Sequence, residues 1–571
     1  MTYIKKSDLK QTLYTVCFLG LVIIDWTRGS QTGDIWGVAV NCTGLLFSVM
    51  LASHYSFRNV SFRPYLGFLL IWLLGGFAGY LWWLNAPGSV YLWQYLTGAL
   101  NAGAIGLVLI RFLQDVPKKR ESLESEKSGR GGRNLFLAAG LLLLTVLMLL
   151  SPLGNIWPAW FCMMFGLFYL IPYSGEERRK LWNGMANGII IGFFVLQIYA
   201  FGFRPYDEVR YKGAYSNCNI NSLFYLVTYI MVLYRLYVLK SRKHKAAGVM
   251  KNKNTGNVLI KVFYYVLAGG LLSFIFFTIC RTAMLAAFLI TFLYGIGTVL
   301  IIHREKIIGL FLHWLMITGC FILTFPCVYA AVRYLPGILH RPVWYESVGE
   351  YSPEKVHSFD PITSEKYVSL QEFLEEALGR MVYNQLFDRS GAGETEEMVI
   401  ADIDYPQANF AETGVDAARD DILSDEASSG MIRKEIYRLY FTNLNLRGHE
   451  LTEGYFQITE SYHAHHAQNI FLQIAFYYGI PAGIIFLMLT AALGYLAFRN
   501  FLRFRNKAEN IIPVLIWLVF ILFGMLECVW YPGQIILFLM YFGQKITVKN
   551  NCIWQNKESV WKESVWNGET L

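Results

Sequence analysis

Three histidines crowd into four positions of the stretch SYHAHHAQNIFLQ, residues 461–473: His463, His465 and His466, out of ten in the chain. They stand directly in front of an apolar run. A neutral imidazole is poised near ambient pH to take a proton from a hydroxyl. Two other readings compete: His-x-His spacing can chelate zinc, and histidines at a membrane boundary can simply be interfacial. If a helix begins near 467, His465 and His466 precede Asn469 by four and three residues, so one face gathers imidazole and amide.

A second group of residues is cationic. Arg281, in CRTAMLA (280–286), joins two apolar runs with almost no loop between them. An arginine there either snorkels to headgroups or, held in place, presents a planar donor suited to phosphate. Arg433, Arg438 and Arg447 lie in SSGMIRKEIYRLYFTNLNLRGHE (428–450) and make a locally basic patch inside an acidic segment, which favours an anion site. The stretch RPYDEVRYKGAYSNCNINS, 204–222, offers Arg210 and Lys212. Its asparagines Asn217, Asn219 and Asn221 either cap a helix and form turns or hydrogen-bond sugar hydroxyls. Asp402-Ile403-Asp404 has the aspartate spacing with which some sugar transferases hold a divalent metal, but such a tripeptide arises easily by chance in an acidic loop. No phosphate-cradling glycine loop, nucleophile elbow or nucleic-acid signature is present, so no nucleic-acid partner is expected.

The elements that must position these residues are membrane helices. The chain is 55% hydrophobic, 16% aromatic and only 16% charged, too apolar for a soluble protein of 571 residues. Apolar runs recur at about 11–26, 35–52, 64–84, 90–110, 134–150, 156–172, 184–202, 220–238, 258–279, 283–302, 307–330, 469–498, 511–526 and 533–544, most of them long enough to cross ~30 Å of hydrocarbon. The expected class is an all-α polytopic membrane protein of about 12–14 transmembrane helices. Nine cysteines are scattered with no CxxC pair, which speaks against a thiolate metal site.

Alternate loops carry the basic residues, among them Lys5, Lys6 and Lys10, Lys118 to Arg120, Arg178 to Lys180, and Arg499 to Lys507, while 85–88 and 151–155 carry none. Positive-inside bias then puts both termini in the cytoplasm of a cell-membrane protein. It puts 203–218, the Cys280-Arg281 junction, 527–532 and the long segment 331–468 on the outer face. The organisation expected is helices one to eleven over 1–330, an outer loop domain over 331–468 between the eleventh and twelfth, C-terminal helices over 469–544 and a cytoplasmic tail over 545–571. Between 334 and 466 there are 24 acidic residues against ten Lys/Arg, a net of −14, the mark of a solvated surface. Within it, 369–390 and 432–446 have helical spacing, the latter amphipathic. The loops 113–133 and 240–257, rich in Lys, Arg, Gly and Ser, are expected to be flexible linkers, and the tail repeats KESVW at 557–561 and 562–566.

Four pieces in this order resemble one family: GAYSNCNINS (213–222), CRTAMLA (280–286), SGMIRKEIY with RGHE (429–450), and HHAQNIFLQIAFYYGIPAGIIF (465–486). The chain resembles the O-antigen ligase and polysaccharide polymerase superfamily of bacterial envelope proteins over about 200–500. The resemblance implies a membrane glycosyltransferase that moves a glycan from an undecaprenyl-pyrophosphate carrier to the hydroxyl of an acceptor glycan or lipid-linked saccharide at the outer face, without metal, nucleotide sugar or other cofactor. It implies that Arg281 and Arg433 hold the pyrophosphate; Asn469, Arg210, Lys212, Asn217, Asn219 and Arg438 are the candidates for binding substrate. The family's histidine usually stands immediately before the asparagine, where this chain has Gln468, and glutamine cannot act as a base. His466 is then the first candidate for the base, His465 the next and His463 the last. The alternative is a polysaccharide or lipid transporter (a flippase). It is disfavoured because mid-span positions are nearly free of charge, Asp25 and Arg235 lying near span ends.

Overall fold

The computed structural model describes residues 6–29, 33–55, 61–85, 92–125, 131–153, 156–171, 173–203, 210–215, 217–246, 255–298, 307–338, 342–344, 356–358, 426–458, 463–464, 466–503, 510–526 and 535–546. These form α1 (Lys6–Gly29), α2 (Gly33–Ala52), α3 (Arg63–Asn85), α4 (Leu92–Ser125), α5 (Gly131–Leu150), α6 (Ile156–Leu170), α7 (Gly175–Phe203), α8 (Cys218–Ala246), α9 (Thr255–Phe277), α10 (Arg281–Gly295) and α11 (Ile307–Ile338). There follow α12 (Glu426–Thr442), α13 (Ile470–Tyr478), α14 (Ile480–Arg503), α15 (Ile512–Gly524) and α16 (Ile535–Ile546). The strands are two short antiparallel pairs, β1 (Pro342–Trp344) with β2 (Val356–Ser358), and β3 (Phe456–Gln457) with β4 (His463–Ala464). The described chain is a helical bundle.

Nine of the described helices are long and apolar enough to cross a membrane, and four shorter ones are apolar as well. This is the build of a multi-pass membrane protein. A segment in hydrocarbon must satisfy its own amides, so each apolar run closes into a helix. The ends of the bundle are tied by side-chain bonds between helices. At one end Lys10 Nζ meets Glu177 Oε1 at 3.1 Å, and His54 Nδ1 lies 3.6 Å from Glu177 Oε2, tying α1 and the end of α2 to the start of α7. We call this the basal end. At the other, Trp26 Nε1 donates to Ala214 O at 2.7 Å, tying α1 to the segment before α8.

Packing inside the bundle uses small residues on one helix against large ones on the next. Gly184, Gly188 and Gly192 of α7 recur every four residues and face Tyr14, Phe18 and Val22 of α1, which have the same spacing. A Cβ at Gly188 would stand 2.6 Å from both Phe18 Cβ and Thr15 O, so only a bare backbone allows this approach. Phe47, Phe165, Phe168, Phe538 and Phe542 interlock, mostly edge-on, binding α2, α6 and α16 into one core. By contrast α3 has no buried residue and turns its leucines outward.

Three expectations from the sequence need correction. The run 469–498 is two helices: Gly479, at φ 88°, breaks the ladder between α13 and α14. The amphipathic segment placed at 432–446 is helical over Glu426–Thr442 instead, because Asn443 to Gly448 turn back on themselves. Much of 113–133 and 240–257 is helical too, since α4 continues to Ser125 and α8 to Ala246. Their Lys, Glu and Arg are good helix formers and extend a helix that the apolar run has already nucleated. Residues 369–390, Asp402-Ile403-Asp404 and the KESVW repeat lie outside the described residues.

Candidate functional site

The turn 466–469 is built by its own side chains. Asn469 is the N-cap of α13: its Oδ1 accepts from Phe471 N at 3.0 Å and Leu472 N at 3.1 Å, satisfying two of the four amides a helix start leaves open. Its Nδ2 reaches Met525 Sδ at 3.7 Å. Gln473 reaches back from the helix, its Oε1 accepting from Ala467 N at 2.6 Å. Between these braces Gln468 adopts φ 48°, a left-handed conformation rare for a residue with a side chain. The Asn-x-x-Leu-Gln spacing is thus the wiring of a bent helix start.

Arg433 meets this turn. On α12 it points the same way as Tyr437, one turn on, while Ile436 and Tyr440 face inward and are fully buried. Arg433 Nε donates to Gln468 Oε1 at 3.2 Å. The Tyr437 hydroxyl stands between two carbonyls, Met525 O at 2.6 Å and Gln468 O at 3.2 Å, and donates to the nearer. Helix α12, the turn and the end of α15 therefore converge on Gln468. His466 belongs to the same turn, its Nδ1 accepting from Gln468 N at 3.3 Å. A neutral ring so placed carries its proton on Nε2 and leaves Nδ1 as the acceptor nitrogen. His465 and the side chain of His463 lie outside the described residues.

Arg281 is the first residue of α10 and is exposed. The joint before it is tight: Thr278 Oγ1 donates to Ile275 O at 2.7 Å and accepts from Cys280 N at 3.3 Å, with Ile279 at φ 47°. Cys280 is the N-cap, and its side chain makes no cap bond. Helices α10 and α15 pack together, and Ile511, before α15, touches Gly297, beyond α10. From these touching ends α10 runs back about 24 Å to Arg281 and α15 forward about 21 Å to Met525, at ~1.5 Å per residue. Arg281 thus lies toward the same end of the bundle as Met525, the residue that receives Tyr437 and Asn469.

Arg210 has internal work. Its Nε donates to Thr278 O at 3.1 Å and its Nη2 to Asn219 Oδ1 at 2.7 Å, while Tyr211 N donates to Phe277 O at 2.8 Å. A cation on the last carbonyls of α9 is well placed against the helix dipole, and it locks the linker to the joint before Arg281. Asn219 is the other half of that lock. Asn217 caps α8, its Oδ1 accepting from Asn219 N at 2.8 Å and Ile220 N at 3.3 Å. Lys212 is half-buried in the same segment. Arg438 turns away from Gln468, exposed and paired with Glu435 Oε1 at 2.5 Å; that guanidinium holds the Glu435 carboxyl below its ordinary range.

Sequence reading overlooked two supports. Tyr437 could have been found as the i+4 neighbour of Arg433 on one helix face. The role of RGHE is structural: Gly448, at φ 90°, lies against Tyr477 O and Gly479 N, where any Cβ would collide with backbone. His449 stacks on Phe476 at 4.1 Å and holds Glu453 Oε2 at 2.9 Å. The Glu453 carboxyl, receiving Glu450 N and the His449 ring, sits below its ordinary range. Ile480 N, released by the break at Gly479, donates to Asn445 O at 2.9 Å. This clasp fixes the segment between α12 and the turn. Among the described residues no three His, Cys, Asp or Glu side chains come together as a metal site. No family model, curated protein or solved structure matches this chain.

Proposed function

We propose that the chain is a polysaccharide polymerase or ligase of the cell membrane, transferring a glycan from a lipid pyrophosphate carrier to an acceptor hydroxyl at the end of the bundle that carries Arg281 and Arg433. The reading includes the orientation argued from the basic loops, with this end outward and both termini cytoplasmic. One observation carries most of it: Arg433, from a helix of the long polar segment, bonds the Gln468 side chain in the turn before α13, toward the end of the bundle where Arg281 opens α10. Two guanidinium groups at one end of the bundle suit a diphosphate.

In the transfer, the acceptor oxygen bonds to the anomeric carbon as the bond from that carbon to the pyrophosphate oxygen breaks. Negative charge grows on the departing lipid pyrophosphate, and Arg281 and Arg433 stabilise it. The hydroxyl proton goes to His466 through Nδ1, the nitrogen that faces the Gln468 amide; an incoming hydroxyl replaces that 3.3 Å contact. His465, next in the order of candidates, competes for this role. Arg210 and Asn219 act by holding the joint before Arg281, and Asn469 by holding the turn. Lys212 and Arg438 remain candidates for the more distant sugars.

Replacing Arg281 or Arg433 by alanine is expected to abolish polymer formation in cells while the chain still inserts in the membrane. Retained activity in both would sink the reading. Sizing the lipid-linked glycans that accumulate on deletion separates the two activities: single repeat units indicate a polymerase, long chains a ligase.

A further inference from the structure

At the basal end, α8, α9, α10 and α11 enclose a crevice of about 590 Å³, within the range of about 300–1,000 Å³ common for ligand pockets. Its lining is divided. One wall carries Lys261, whose Nζ lies 5.6 Å over the Tyr265 ring, and the Tyr265 hydroxyl is 3.0 Å from His313 Nδ1. The rest of the lining is largely apolar and includes Leu312 and Met316. Lys261 and His313 each stand six residues inside their helices, about 9 Å from the helix start at ~1.5 Å per residue. Tyr265, which contacts both, places them in one neighbourhood near the basal starts of α9 and α11. The flank is open to the bilayer, for Val262 of α9 and Leu312 are exposed on the bundle surface.

A cation beside an apolar slot, open sideways to lipid, matches a molecule with an anionic head and a hydrocarbon tail. Basic pockets between transmembrane helices recognise anionic lipid headgroups in this way. We propose that the crevice binds one anionic phospholipid, its phosphate at Lys261 and His313 and an acyl chain along Leu312 and Met316. The site lies at the opposite end of the bundle from Arg281 and Arg433, and it stands independently of the transferase reading. Because the phosphate would bridge α9 and α11, its binding couples the two helices that carry the joint before Arg281 and the start of the long polar segment.

The test uses the full chain purified in detergent and offered equal amounts of phosphatidylglycerol and phosphatidylcholine, with bound lipid read by native mass spectrometry. The expected result is one phosphatidylglycerol per chain, favoured by about tenfold, the ratio that ~1.4 kcal/mol produces. Lys261→Gln should bring retention down to that of phosphatidylcholine, and Lys261→Arg should preserve it. Leu312→Trp, which fills the slot, should expel the lipid with helix content unchanged. Equal retention of the two lipids, retention unaltered by Lys261→Gln, or a polyprenyl phosphate bound in place of the phospholipid would overturn the assignment.

Discussion

Asn469→Ala separates a residue that shapes the site from one that only touches substrate. The side chain accepts two helix-start amides, at 3.0 and 3.1 Å, in a nearly buried position. Removing such a cap costs about 1 kcal/mol, and with RT of about 0.6 kcal/mol this multiplies the open population of the first turn roughly fivefold. Hydrogen exchange of the peptide covering 466–478, followed by mass spectrometry, reads that change directly. Asn469→Ala should speed exchange at Phe471 and Leu472 by about that factor. Asn469→Asp keeps the acceptor, and a carboxylate is well tolerated at a helix N-terminus, so exchange should stay near the native rate. Aspartate loses only the Nδ2 contact to Met525 Sδ. Unchanged exchange in Asn469→Ala, or equal acceleration in both variants, would refute the capping argument and with it the claim that Asn469 sets the turn presenting Gln468 and His466.

Other consequences follow from the same geometry. Gly448→Ala forces a side chain into φ 90° against Tyr477 O; the conformational cost alone is about 1–2 kcal/mol, and the collision adds to it, so the yield of monodisperse protein should fall sharply. Gly75→Ala, with nothing within 4 Å, is the neutral control. Tyr437→Phe removes the bond to Met525 O, worth about 0.5–1.5 kcal/mol, and should make α12 several-fold more susceptible to limited proteolysis. The Glu453 carboxyl is held low by Glu450 N and His449, so its contribution is present above the ordinary carboxylate pKa of about 4.3 and is lost as pH falls through the lower folded value. Exchange in 443–458, corrected for intrinsic rate, should therefore stay slow at pH 5 and rise only well below pH 4; opening already near pH 6 would contradict this.

The helical, apolar character of the spans was legible because a span in hydrocarbon must be both apolar and self-bonded, and neither property depends on distant residues. The break at Gly479 was not legible in the same way. Gly-Ile-Pro sits inside an apolar run, and the break is stable only because Asn445, more than thirty residues upstream, accepts the released Ile480 amide. Arg433 and Asn469 were found by type and spacing, and they do meet at one turn. The internal bonds of Arg210 were not legible, since its partners Thr278 O and Asn219 come from two other elements. The same holds for His466: its spacing marked it as a base, but only the fold fixes which ring nitrogen faces the Gln468 amide.

The central claim is that the end of the bundle carrying Arg281 and Arg433 breaks a glycan–pyrophosphate bond. Reconstituting the purified chain in vesicles with a lipid-diphosphate-linked glycan, in the presence of a chelator and without nucleotide sugar, tests it directly by following free lipid pyrophosphate. The account predicts release matched one-for-one by glycan transferred to acceptor, and loss of both in Arg281→Ala and in Arg433→Ala. Movement of the intact lipid-linked glycan across the bilayer with no bond broken would contradict it and make the chain a transporter.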